Sequence, residues 1–96
     1  MFDIKGVQRY IVGYEKQPNK FGGYDLAIEY DFARPISLSF LQKLFGIDPA
    51  DPDGGTRYLI SCYIIDEEKA KALQPFVKEK IDLTKYSFML ECRASD

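Results

Sequence analysis

Histidine and tryptophan are both absent from the 96-residue chain. Without histidine the chain cannot form a Ser-His-Asp triad, a Cys-His dyad or a metal site built on imidazole. Cysteine is scarce, since only Cys62 and Cys92 occur. Two thiols alone do not supply the four ligands of a structural zinc site. These absences exclude the commonest catalytic and metal-binding arrangements, and we therefore expect no metal and no cofactor.

Long hydrophobic runs are also missing. No apolar segment approaches the ~20 residues that a membrane helix needs. The first ten residues lack the basic stretch followed by an apolar stretch that marks a signal peptide. We therefore predict a cytoplasmic protein that does not enter the membrane. Positive charge is not in excess either, because 13 basic residues stand against 15 acidic ones, for a net charge of −2. This balance disfavours nucleic acid as a partner, since nucleic-acid binders usually carry a basic field.

Hydrophobic residues make up 46% of the chain, including seven phenylalanines and seven tyrosines. A chain of this size and composition can bury one hydrophobic core, so we predict a single domain over residues 1–96. Cys62 and Cys92 each lie in an apolar run of strand-forming residues, which favours buried free thiols. A disulfide is the alternative if the two strands are neighbours.

Four segments have the residue pattern of β-strands. They are residues 8–16, 24–32, 57–65 and 85–93. In residues 24–32 every second residue is apolar, which predicts one buried and one solvated face. Residues 57–65 are largely apolar on both faces, as in a central strand. The Pro, Asn and Gly residues between the first two strands predict a turn, and hence an antiparallel hairpin.

Two segments carry helix signals. Ser37 is a suitable N-cap for a helix over residues 38–45, and Gly46 suits the position after its end. Asp66 is a suitable N-cap for a second helix, which Pro75 should end or kink. The resulting order, β-β-α-β-α-β, predicts an α+β fold with a four-stranded, mostly antiparallel sheet and both helices on one face. The other face would be open to solvent or to a partner.

Three carboxylates, Asp25, Glu29 and Asp31, occupy polar positions of residues 24–32. Residues i and i+2 of a strand lie about 6.6–6.8 Å apart on one face, close to the spacing of phosphates along a nucleic-acid strand. Such a row could imitate a nucleic-acid backbone and occupy the basic cleft of a nuclease. The other interpretation is the ordinary solvated face of an amphipathic strand.

The loop over residues 47–55 is acidic and superficially like a calcium loop. Counted as an EF-hand from Asp51, it places Thr56 where glycine is needed and Cys62 where a bidentate glutamate is needed. We therefore interpret Asp51 and Asp53 as part of an exposed acidic turn or of a contact with a protein partner.

Tyrosines with accessible hydroxyls favour protein interfaces. Tyr14 and Tyr63 are candidate anchors of this kind. The alternative for each is packing in the core with the hydroxyl at its edge.

Several stretches resemble small bacterial proteins encoded beside polymorphic toxin genes, among them the immunity proteins of contact-dependent growth inhibition systems. The resembling stretches are RYIVGYEK, ISLSFLQKLFGIDPADP, YLISCYIIDEEKAKAL and KYSFMLEC. They cover a little over half of the chain. The resemblance implies a small, acidic, non-enzymatic cytoplasmic protein that binds one cognate toxin domain and blocks its active site. It implies no contact residues, because interfaces of this class diverge quickly.

The sequence therefore predicts a toxin-binding immunity protein that is not an enzyme. The predicted partner-binding residues are Asp25, Glu29, Asp31, Asp51, Asp53, Tyr14 and Tyr63. The alternative is a small-ligand-binding or regulatory α+β module that dimerises through its sheet. A minimal enzyme is the third hypothesis, and without histidine it would need an unusual Lys/Glu or Tyr/Asp arrangement.

Overall fold

The computed structural model describes residues 7–54, 58–59 and 62–94, which form an antiparallel four-stranded sheet and two α-helices. The strands are β1 (Val7–Glu15), β2 (Leu26–Asp31), β3 (Tyr63–Ile65) and β4 (Tyr86–Ala94). The helices are α1 (Leu38–Phe45) and α2 (Glu67–Leu73), and a 3-10 turn (Gln74–Phe76) follows α2. The predicted α+β class and the β-β-α-β-α-β order are confirmed.

The strands lie in the order β2-β1-β4-β3, so the first and last strands of the chain are the two central ones. β1 and β4 pair along their whole length, from Val7 opposite Ala94 to Glu15 opposite Tyr86. β1 and β2 form the predicted antiparallel hairpin. This order brings residues of the two ends of the chain together in the middle of the sheet.

Both helices begin at the predicted caps. The Ser37 hydroxyl accepts a hydrogen bond from the Phe40 amide at 3.1 Å, and the Asp66 carboxylate accepts one from the Lys69 amide at 2.9 Å. Each bond satisfies an amide that has no partner within the helix. Gly46 ends α1 in the left-handed conformation, with φ of 68°. Pro75 lies in the 3-10 turn that ends the second helical segment.

The core lies between the helices and one face of the sheet, called the covered face below. Ile11, Phe88 and Leu90 project from the central strands and are 2% exposed or less, and they pack with helix residues that include Leu41 and Leu73. Gly13 belongs to the same face. A Cβ atom there would lie 2.9 Å from Phe88 Cε1, so the glycine makes room for the phenylalanine ring.

The central strand predicted at residues 57–65 is wrong in both length and position. β3 comprises only Tyr63–Ile65 and lies at the edge of the sheet. Residues 55–57, 60 and 61 of this region lie outside the described part of the chain. The apolar residues of this segment have different surroundings. Leu59 is buried in the core, whereas Ile64 is 73% exposed.

A β-bulge interrupts the alternation predicted for residues 24–32. Gly13 pairs with Ile28 but Tyr14 pairs with Leu26, so Ala27 is an additional residue in β2. An additional residue reverses the faces of the residues beyond it. Leu26 therefore lies on the face opposite to Ile28, and it is 55% exposed.

The same bulge breaks the predicted row of carboxylates. Glu29 pairs with Val12 and Asp31 with Tyr10, so both share the face of these even-numbered residues of β1. The Asp25 carbonyl instead accepts the Glu15 amide at 2.9 Å, which places Asp25 beside an odd-numbered residue. The prediction that the three carboxylates share one face is thus correct for Glu29 and Asp31 and wrong for Asp25.

The two cysteines are free, as predicted, but only one of them is partly buried. Cys92 pairs with Arg9 and belongs to the covered face. Cys62 is exposed, contrary to the prediction of a buried thiol, because β3 is an edge strand. Cys62 precedes Tyr63, which packs against the core, so strand alternation directs the two thiols to opposite faces.

Candidate protein-binding surface

One face of the sheet, called the open face below, has neither α1 nor α2 packed on it and carries its side chains in rows that cross the strands. The strand register defines these rows. One row contains Asp31, Tyr10 and Glu91, the next contains Glu29, Val12, Met89 and Ile64, and the third contains Leu26, Tyr14 and Ser87. Arg93 lies beyond the first row. Two surfaces of different character result, one of charged groups and one of apolar groups.

The charged surface, called the acidic cluster below, consists of Glu29, Asp31, Glu91 and Arg93. The Arg93 guanidinium donates to Glu29 Oε1 at 3.2 Å and to Asp31 Oδ1 at 3.3 Å. The Arg93 guanidinium carbon also lies 4.1 Å from the centre of the Tyr10 ring, above which it packs. One guanidinium thus orients two carboxylates from the neighbouring hairpin, and three carboxylates against one guanidinium leave the cluster negative.

Tyr14 connects this cluster to the rest of the open face. Its hydroxyl donates to Glu91 Oε2 at 2.5 Å. That hydrogen bond, followed by desolvation, raises the pKa of Tyr14 to about 12. Desolvation and then the Glu91 charge also raise the pKa of the Cys62 thiol. Tyr14 is therefore held as a neutral phenol, and Cys62 is not an activated thiol.

Glu91 and Arg93 were missed by the sequence analysis. Both occupy polar positions in the alternation of the last strand, with Cys92 between them. That alternation was a usable signal, but their meeting with Glu29 and Tyr14 depends on which strands pair.

Three of the predicted residues lie away from the acidic cluster. Tyr63 packs on the covered face, with its ring centre 5.7 Å from that of Phe45. Asp53 and Asp51 are near enough that their charges, after desolvation, raise the pKa of Tyr63. The Asp51 carboxylate accepts the Asp53 amide at 2.9 Å, which stabilises the loop locally. Tyr63, Asp51 and Asp53 therefore form a second group on the other side of the sheet.

The apolar surface is a groove with a volume of about 670 Å³, at the end of the sheet where β1 ends and β4 begins. Its lining includes Tyr14, Tyr24, Ile64, Tyr86 and Met89, together with the charged residues Glu15 and Lys16. Ile64 and Tyr24 are largely exposed. The sequence analysis did not predict this groove, because strand pairing brings its lining residues together from β1, β3 and β4.

Beside the groove, the turn between β1 and β2 holds Phe21 in an ordered loop. The Asn19 carboxamide oxygen accepts the amides of Phe21 at 2.9 Å and Gly23 at 3.1 Å, and its nitrogen donates to Asp25 at 3.0 Å. Gly22 supplies the left-handed conformation, with φ of 85°. Phe21 is nevertheless 85% exposed. The turn therefore presents a largely exposed aromatic side chain on a backbone that the Asn19 hydrogen bonds hold in place.

Among the described residues, no group of three or more Cys, Asp or Glu side chains is arranged to hold a metal ion. Within the same residues, neither helix has the length and apolar character needed to cross a bilayer.

Fold and surface together define a small α+β protein with one sheet face on which no helix of the described residues packs, although Tyr10 and Val12 of that face are buried. Residues 8–91 match the model of a family described as a domain of unknown function, DUF7683. The match covers most of the chain, which therefore belongs to this family. Comparison with curated proteins and with solved structures gave no match.

Proposed function

We propose that this chain is a non-enzymatic, cytoplasmic binding protein of the bacterial immunity type, which binds a cognate toxin domain and occludes its active site. The observation that carries the proposal is the acidic cluster. The carboxylates of Glu29 and Asp31 are exposed, and Arg93 holds both of them in position. A cluster of this kind matches a toxin domain with a basic active-site cleft, such as that of a nuclease.

Two physical effects favour binding through the acidic cluster. A negative surface accelerates the encounter with a basic partner and disfavours partners of like charge. Groups that are held in place before binding also lose less conformational entropy when the complex forms. Tyr14, whose hydroxyl is fixed by Glu91, adds an aromatic side chain next to the charges, of the type that is enriched at interface hot spots.

The predicted contact residues have different places in this proposal. Glu29, Asp31 and Tyr14 belong to the proposed interface, together with Glu91. Asp25, Asp51, Asp53 and Tyr63 remain sequence predictions. Because Tyr63 lies on the covered face, one flat interface on the open face would not include it or the two aspartates near it.

The direct test uses the gene neighbourhood. If a neighbouring gene encodes a large secreted protein, its C-terminal domain should arrest growth when expressed alone, and co-expression of this chain should restore growth. The purified pair should form a complex by calorimetry. The double variant Glu29→Lys with Asp31→Lys should weaken this complex at least about tenfold, because charge complementarity with a basic cleft is lost.

A matched control makes the same charge change on other surfaces of the molecule. Glu67→Lys with Glu79→Lys reverses two exposed charges that lie outside the acidic cluster, and it should leave the affinity nearly unchanged. Circular dichroism and thermal melting would establish that both double variants are folded. Equal affinities of the two variants for the toxin domain would show that the acidic cluster is not the interface.

One observation favours the alternative function, a small-ligand-binding or regulatory module. The groove has the volume of a small-molecule cleft, about 300–1,000 Å³, and several aromatic residues line it. A thermal shift with a metabolite, lost in a groove variant, would favour this alternative over toxin binding. Dimerisation by stacking two open faces is disfavoured, since it would bring two negative clusters together.

A further inference from the structure

We propose that Cys62 and Cys92 form a reversible disulfide under oxidising conditions, so that the start of the edge strand β3 becomes crosslinked to the central strand β4. This redox-sensitive crosslink goes beyond the proposed function and does not depend on it. It is carried by the strand register, by the position of Cys62 just outside the β3–β4 ladder, and by the different exposure of the two thiols.

The strand register brings the two cysteines close along the backbone. Tyr63 pairs with Leu90, so one further step along each strand puts Cys62 beside Glu91, the residue before Cys92. Residues offset by one position on neighbouring antiparallel strands have Cα atoms about 6 Å apart, within the range of about 4.4–6.8 Å that disulfides span. Desolvation raises the pKa of the Cys62 thiol, and so do the nearby charges of Glu91 and Cys92, which agrees with this placement.

Side-chain direction keeps the two thiols apart in the reduced protein. Cys62 lies on the open face beside Glu91, whereas Cys92 pairs with Arg9 and belongs to the covered face. β3 begins only at Tyr63, so strand pairing does not fix the direction of the Cys62 side chain. A rotation of the backbone at this one residue therefore turns the thiol towards Cys92 while Tyr63–Ile65 stay paired with β4.

The different exposure of the thiols sets the order of the chemical steps. Cys62 is exposed and Cys92 is partly buried, so an oxidant reaches Cys62 first. With oxidised glutathione, the Cys62 thiolate attacks one sulfur of the oxidant, and the other half leaves as a thiolate. The Cys92 thiolate then attacks the Cys62 sulfur of this mixed disulfide and releases the second half. The protons of the two protein thiols end on the two released glutathione molecules, so two cysteines are oxidised and one glutathione disulfide is reduced.

The rotation at Cys62 also makes the crosslink reversible. Strained or exposed disulfides are more easily reduced than structural ones and are the labile, regulatory kind. The raised pKa of Cys62 slows the first step near neutral pH, because the thiolate is the reacting form. The two thiols therefore stay reduced in a reducing compartment and become crosslinked when a disulfide oxidant accumulates.

Oxidation of the whole chain with excess oxidised glutathione tests the proposal. Mass spectrometry of the wild type should show a monomer without glutathione, two hydrogens lighter than the reduced chain, with both thiols protected from alkylation. Peptide mapping should join the peptides that contain Cys62 and Cys92, and excess reduced glutathione should restore both thiols. Cys92→Ser should instead stop with one glutathione on Cys62, because the second attack lacks its nucleophile.

A matched control moves the exposed thiol along the same strand. The double variant Cys62→Ser with Ile64→Cys keeps a cysteine on the open face of β3, at a position that is 73% exposed in the wild type. Ile64 pairs with Met89, so its Cα lies roughly 11 Å from that of Cys92, beyond the limit of about 7 Å for a disulfide. This variant should retain glutathione as a mixed disulfide and form at least about tenfold less crosslink than the wild type.

Three results would overturn the proposal. One is a wild type in which Cys62 ends as a glutathione adduct, or in a disulfide between two chains, while Cys92 remains reactive. Another is an equal yield of crosslink from the control variant, which would mean that unfolding rather than the strand register brings the thiols together. The third is a crosslink that excess reduced glutathione leaves intact. Equal melting temperatures of the reduced proteins would establish that the variants are folded.

Discussion

The acidic cluster lies on the open face, whereas the groove lies at the end of the sheet and is lined by residues of both faces, among them Ile64 and Phe88. The two surfaces also differ in how their side chains are held. In the acidic cluster every carboxylate has a partner, since Arg93 binds Glu29 and Asp31 while Tyr14 binds Glu91. In the groove, Ile64 and Tyr24 stand exposed. Neighbouring regions of a single sheet can thus offer one surface whose charges are oriented in advance and another that gains by being covered.

The largest expected effect concerns the wall of the groove, which has a buried and an exposed part. Phe88 lines the groove and is 2% exposed, whereas Ile64 lines it and is 73% exposed. Phe88→Ala should lower the free energy of unfolding by about 3–5 kcal/mol through lost burial and a cavity. Ile64→Ala should change it by less than about 0.5 kcal/mol. Urea unfolding of both variants would measure the difference, and a large cost for Ile64→Ala would mean that the exposed wall is structural.

An intermediate effect is expected in the acidic cluster. Arg93→Ala should cost about 1–2 kcal/mol, because it removes two exposed ion pairs, each of small value, and the contact with the Tyr10 ring. Lys20→Ala, which removes a cation near the exposed Phe21 ring, should cost less than about 0.5 kcal/mol. Urea unfolding at low and high salt would measure both. Equal costs would contradict the view that the acidic cluster is more firmly held than the turn.

The smallest expected effect is the contribution of Tyr14 to the free energy of unfolding, which should change only at alkaline pH. The pKa of Tyr14 is raised to about 12 from an ordinary value of 10.0, so the folded state favours the neutral phenol. This contribution to stability is complete below pH 10 and is lost as the pH rises from about 10 to 12. Tyrosinate absorbance should show a group that titrates near pH 12, absent in Tyr14→Phe and shifted towards 10 in Glu91→Gln. A Tyr14 that titrates normally would mean that its bond to Glu91 is not maintained in solution.

Features that depend on neighbouring residues could be predicted from the sequence. Ser37, Gly46 and Asp66 act at helix ends through bonds to residues three or four positions away. The antiparallel hairpin follows in the same way from the turn residues between its strands. The α+β class follows in turn from the order of these elements.

Features that depend on strand pairing could not be predicted. The segment around β3 is as apolar as a central strand, but β4 takes the central position beside β1 and leaves β3 at the edge. Which of two apolar strands becomes central depends on packing across the whole sheet. The sequence pattern of either strand does not contain that information.

The residues of the candidate interface also differ in whether their positions depend on local or on long-range contacts. That Glu29 and Asp31 share one face could be predicted, because alternation in one strand is local. Glu91 and Arg93 were missed because their role arises from contacts with residues more than 60 positions away. Asp25 was misplaced because nothing in the alternating pattern marks Ala27 as an additional residue.

The bulge at Ala27 also bears on how this family could change. Beyond it, Leu26 lies on the open face and Asp25 does not. A slip of the hairpin by one residue would exchange them and make that end of the sheet acidic. The loss or gain of a single codon near the turn would therefore alter the chemistry of this surface while leaving all other residues of the chain unchanged.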